Sequence, residues 1–129
     1  MIFHEYAEYA TWRMAPRCRL VEEFAERVME SWRATGGEPN IALALPPLLT
    51  ACGFRIRSAT PRIFCVRPWD HMWRWPSSFL DINLNRLLEL GRVDQEWVMA
   101  VRREFAAVES NPDSLMVTPL VLEIIAERL

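Results

Sequence analysis

His4 and Glu5 set an imidazole beside a carboxylate at the polar end of a short apolar opening, Met1 to Tyr6 (MIFHEY). Histidine exchanges its proton near neutral pH, which makes His4 a candidate catalytic base. The plain alternative is a polar residue that merely solvates the end of a strand. A metal reading fits poorly. The zinc-protease pattern needs a second histidine four residues after the first, position 8 is Glu8, and the other histidine is the distant His71. No metal-ligand set is expected.

Aromatic residues supply the next candidates. Tyr6, Tyr9, Trp12 and Arg13 follow the opening segment closely enough to form a lid over a small molecule, and ordinary packing explains them equally well. Trp69, Trp73 and Trp75 enclose Asp70, His71 and Arg74 in the densest aromatic stretch. Small-molecule pockets are mostly apolar with a few placed polar groups, so Trp73 or Trp75 is expected to line one, and Trp69 to fasten its segment to the body. Glu123 is a carboxylate in an apolar run, and a lone buried charge is costly. It must face a cleft or pair with an arginine, and Arg55 or Arg57 is the expected partner.

The elements that would position these groups are readable in outline. Val21, Phe24, Val28 and Trp32 recur at helical steps from about Pro16 to Ala34, with Glu23 and Arg27 at a favourable i, i+4 spacing and Gly36-Gly37 as the stop. Pro46 and Pro47 suit the first turn of a short helix that ends at Gly53. Phe54 to Val66 favours strand, with Pro61 implying a bulge or an edge. Ser78 and Asp81 resemble a capping box before the Leu80, Leu84, Leu87, Leu88 stripe. Trp97, Val101, Phe105 and Val108 line another helix, closed by Asn111-Pro112. Leu115 to Ala126 is apolar on both alternating faces, as an interior strand would be. The sum is an α/β chain with too few strands for a normal sheet.

Composition excludes several classes. With 129 residues the chain is one domain at most. The net charge of −2 argues against a nucleic-acid partner. All 15 basic residues are arginine, so neither a Schiff-base lysine nor a phosphate-loop lysine can operate. Cys18, Cys52 and Cys65 have no zinc-ligand spacing and read as buried thiols of a reduced cytoplasm. The apolar run from Ile41 to Cys52 is too short for a membrane span, and no serine sits in a G-x-S-x-G elbow.

Four stretches in order, HEY (His4–Tyr6), SWRATGGEPN (Ser31–Asn40), LPPLLTACGF (Leu45–Phe54) and VTPLVLEIIAER (Val117–Arg128), resemble the carboxyl-terminal half of class I S-adenosylmethionine-dependent methyltransferases. The resemblance covers nearly the whole chain. It implies a partial Rossmann-like fold: Met1–Tyr6 as the end of the family's fifth strand, Phe54–Val66 as the sixth, and Leu115–Ala126 as the seventh, antiparallel between the other two. The segment 68–113 would be a helical insertion beside the acceptor pocket. The glycine-rich turn and acidic residue that hold the cofactor in such folds have no counterpart here. S-adenosylmethionine is therefore expected to serve the complete enzyme, with no cofactor bound by this chain alone. His4 would be the base, and Glu5, Tyr6, Tyr9, Trp12, Arg13, Trp73 and Trp75 would meet a small-molecule methyl acceptor. The other reading is a non-catalytic interaction module, a homo-oligomer or the complement of an amino-terminal half, recruited through an unpaired first strand.

Overall fold

The computed structural model describes residues 1–129. In chain order the elements are β1 (Ile2–Glu8), β2 (Arg13–Ala15), α1 (Arg19–Ala34), α2 (Leu45–Ala51), β3 (Phe54–Arg62), β4 (Cys65–Val66), α3 (Arg74–Glu89), α4 (Gln95–Ser110), β5 (Leu115–Val117) and β6 (Leu120–Arg128). Short 3₁₀ turns occupy Tyr9–Thr11, Ile41–Leu43 and His71–Trp73.

The strands form two sheets, β1-β6-β3 and β2-β5-β4, with every neighbouring pair antiparallel. β6 lies between β1 and β3 and opposes both, which is the place expected for the last strand. β1 is more than a strand end: it pairs from Ile2 opposite Ile125 to Glu8 opposite Leu120.

The second sheet was not expected, and it arises from breaks at matching places in three extended segments. Leu115–Ala126 is not one strand, because Thr118-Pro119 divides it. Proline has no N–H for the ladder, and the buried Thr118 bonds sideways instead. Its N–H donates to the Phe64 carbonyl (2.9 Å), its hydroxyl accepts from the Phe64 N–H (3.0 Å), and its carbonyl accepts from the Thr11 hydroxyl (2.9 Å). Phe54–Val66 breaks at Ile63-Phe64 opposite this point, and the first segment breaks at the Tyr9–Thr11 turn. All three segments thus leave the larger sheet together and pair again in the smaller one. Pro61 sits on β3, an edge strand, as its missing donor requires.

The main core lies under the smaller sheet. Val21, Phe24 and Val28 of α1 meet Leu80, Leu84 and Leu87 of α3 and Val98, Val101 and Phe105 of α4, with Met14, Val66 and Met116 closing the layer. Helices α3 and α4 cover α1, and Phe24 is wholly buried. Glu23 and Arg27 hold α4 rather than each other, since the Trp97 indole N–H donates to Glu23 (3.5 Å) and the Arg27 guanidinium lies 5.1 Å from the Trp97 ring centre. Ser78 is not a cap, because α3 begins at Arg74 directly from the 3₁₀ turn. Asp94 caps α4 by accepting the Trp97 backbone N–H at 2.8 Å.

A small second core joins α2 to one face of the large sheet through Leu49, Ile124 and Ala126. The other face carries Ile2, His4, Tyr6, Val121, Glu123 and Ile125 by strand alternation, and Ile2 and Ile125 are exposed there. Of the cysteines, only Cys18 is buried, its thiol pushed up to about 12 by burial, which leaves it inert; Cys52 and Cys65 are exposed, contrary to expectation. No helix is long and apolar enough to cross a membrane.

Candidate functional site

The open face of the large sheet ends in a cleft of about 520 Å³ where it meets the start of α3. His4 and Tyr6 of β1, Val121 of β6 and Arg62 of β3 line the sheet side. Phe64, Met72 and Trp75 line the opposite side. The location follows from the strand breaks: once the strands turn away into the smaller sheet, the 3₁₀ turn and the first residues of α3 stand beside the vacated end of the larger one.

Three polar side chains form a chain across the sheet at this end. His4 and Glu123 are direct cross-strand partners, and His4 Nε2 lies 2.7 Å from Glu123 Oε2. Arg62 Nη2 donates to Glu123 Oε1 at 2.9 Å. Both carboxylate oxygens are therefore occupied. Hydrogen bonds from His4 first and Arg62 second hold the Glu123 carboxyl below its usual range, so it is ionised at neutral pH. An ionised carboxylate only accepts, so His4 must present Nε2–H to it. In the neutral ring this assigns the lone pair to Nδ1, on a side chain that lines the cleft. Glu123 is the least exposed of the three side chains at 19%, against 59% for His4 and 51% for Arg62.

Tyr6 and Trp75 give the cleft an aromatic side. Their rings lie nearly parallel, 11° apart in plane, with centres separated by 6.2 Å. Tyr6 is anchored from behind by Tyr9, whose ring centre is 4.5 Å away.

The expected site residues separate into those that line the cleft and those that do not. His4, Tyr6 and Trp75 line it. Glu5 projects from the opposite face of β1, as the neighbour of His4 must. Tyr9 and Trp12 are core residues rather than a lid, each about 1% exposed. Burial drives the Tyr9 phenol far up, so it stays protonated, and the Trp12 indole N–H has no hydrogen-bond partner. Arg13 lies on β2 within 3.7 Å of Glu22 and does not line the cleft. Trp73 is buried, with its indole N–H donating to Glu109 at 2.7 Å; it is the fastener, and the exposed Trp69, lying under Arg67, is not. Glu123 does pair with an arginine, but with Arg62; Arg55 and Arg57 are taken by Glu127. The bulge between Ile56 and Ser58 alters the alternation along β3, so which arginine stands beside Glu123 was not readable from spacing.

Arg62, Phe64, Met72 and Val121 line the cleft and were not anticipated. Phe64 and Met72 lie at a strand break and a 3₁₀ turn, where neither helical nor strand periodicity gives a direction. His71 does not line the cleft, and no group of three or more histidine, cysteine or acidic residues is placed to hold a metal ion.

A scan against protein-family models gives no match for this chain, and neither does a search of curated proteins.

Proposed function

We propose that the chain is the acceptor-binding part of an S-adenosylmethionine-dependent methyltransferase acting on a small molecule, with His4 as the base. The observation that carries this reading is the His4–Glu123–Arg62 chain at the end of an apolar cleft. A carboxylate that fixes the tautomer of a histidine beside an apolar cleft is the arrangement a proton acceptor needs. Arg62 keeps the carboxylate charged and in place; His4 Nδ1 receives the proton that an acceptor hydroxyl or amine must lose; Tyr6 and Trp75 orient the acceptor. The order β1-β6-β3 with β6 reversed gives further support, being the order that the resemblance implies.

The methyl group would come from a cofactor held elsewhere in the complete enzyme. The glycines here do not form a strand–turn–helix cradle: Gly36 and Gly37 follow α1, Gly53 joins α2 to β3, and Gly91 follows α3. No residue of this chain is therefore assigned to hold it. Calorimetry of the purified chain with S-adenosylmethionine is expected to show no saturable heat. A micromolar dissociation constant would overturn the division of labour proposed here. The reading frame upstream of Met1 offers a second check, because an in-frame glycine-rich strand–turn–helix is expected.

A second reading, an interaction module, is favoured by one observation. The outer edge of β1 has no strand partner, and Ile2 beside it is 64% exposed. An open edge with apolar neighbours recruits another strand. Either a second copy or an amino-terminal half would satisfy it, and for the chain alone a dimer is expected. Light scattering after size-exclusion chromatography tests this: a monodisperse 15.1 kDa particle at tens of micromolar would contradict it.

A further inference from the structure

We infer that the cleft selects a neutral, planar aromatic acceptor bearing one hydroxyl group, of phenol to naphthol size, over anionic or aliphatic molecules. The hydroxyl's fate as a methyl acceptor rests on the function proposed above, but the recognition itself rests on the geometry of the cleft.

Charge decides the first part. Glu123 carries one negative charge and Arg62 one positive, and the two are paired at 2.9 Å. The Glu123–Arg62 pair has no net charge to offer an ionic ligand. An anion approaching Arg62 would also approach the Glu123 carboxylate, since both oxygens of that carboxylate already bind Arg62 and His4. Selection of a carboxylate or phosphate is therefore disfavoured despite the arginine.

Shape and polarity decide the second part. The near-parallel rings of Tyr6 and Trp75 both line the cleft, and Phe64, Met72 and Val121 add apolar surface to it. Flat aromatic ligands gain from stacking and from sulfur–aromatic contact with Met72, neither of which an aliphatic ring provides as well. A volume of about 520 Å³ falls within the range of small-molecule pockets and admits a fused bicycle.

His4 decides the third. Its Nε2–H is committed to Glu123, so in the neutral ring the other nitrogen is the one that accepts a hydrogen bond. A hydroxyl satisfies it, whereas an ether or an ionised carboxylate has no proton to give.

The test compares 2-naphthol, 2-methoxynaphthalene, 2-naphthoate and cyclohexanol with the purified chain at neutral pH, following the Trp75 indole and His4 imidazole signals by NMR. The expected order places 2-naphthol first, roughly tenfold tighter than its methyl ether through one hydrogen bond, with 2-naphthoate and cyclohexanol weaker still. Both named signals should shift together. Trp75→Ala is expected to weaken 2-naphthol about three- to tenfold, with Trp75→Phe retaining most of the binding. If Trp75→Ala does not fold, the ligand order on the wild-type chain still decides. Tightest binding by 2-naphthoate, equal binding of all four, or no binding of 2-naphthol would each overturn the inference. Selectivity for 2-naphthol without methyl transfer by a complete enzyme would sink the proposed function and leave this inference standing. Methyl transfer by an enzyme whose cleft shows no such selectivity would do the reverse.

Discussion

Replacing His4 with alanine is expected to lower turnover of the complete enzyme by about 10²–10⁴-fold, the usual contribution of a positioned base. Affinity for S-adenosylmethionine should change by less than roughly twofold, because no cofactor contact is assigned to His4. The pH profile separates a base from a structural residue. A phenolic acceptor ionises by itself near pH ~10, so the deficit of the variant should shrink as pH rises toward that value. Glu123→Gln should produce a smaller loss of the same kind. An amide can donate as well as accept, so it no longer forces the proton onto His4 Nε2. Steady-state kinetics across pH, with cofactor binding measured separately, distinguishes these outcomes. Unchanged turnover in His4→Ala would remove it from the mechanism.

The largest expected effect on stability belongs to Trp73. It is 2% exposed, its ring centre lies 6.1 Å from that of Phe105, and its indole N–H is bonded to Glu109. Truncation to alanine removes the packing and leaves a cavity between the 3₁₀ turn and α4, at a cost of about 3–5 kcal/mol. A domain of this size is stable by only about 5–15 kcal/mol, so the variant should unfold at much lower urea concentration. The cleft should suffer with it, since Met72 and Trp75, within two residues of Trp73 in sequence, line the cleft. Trp73→Phe keeps most of the apolar contact and should lose far less. Equal urea midpoints for Trp73→Ala and the wild type would show that this indole does not fasten the helices.

The elements best read from the sequence were those whose pattern is local. The Val21, Phe24 and Val28 stripe gave α1, and the paired prolines gave the start of α2. The division into two sheets was not legible, because the strand breaks are held by distant partners: Thr118 bonds to Phe64 and to Thr11, and nothing near Thr118 in the chain signals either contact. The same breaks removed Tyr9 and Trp12 from the site. Both are free to form a lid only if the first segment ends at Tyr6, whereas the chain continues through a turn into β2 and carries them into the core. His4 could be singled out by residue type alone. Its partnership with Glu123 required the register of β1 against β6, and that of Glu123 with Arg62 required the bulge in β3.

The most direct measurement is transfer of a labelled methyl group from S-adenosylmethionine to an aromatic alcohol by the protein translated from the reading frame extended upstream of Met1, with the 129-residue chain as control. The extended protein should yield the labelled aryl methyl ether, the 129-residue chain none, and mass spectrometry should place the label on the former hydroxyl oxygen. Transfer by the 129-residue chain alone, or an extended protein that neither binds the cofactor nor labels any acceptor, would contradict the assignment of this cleft to methyl transfer.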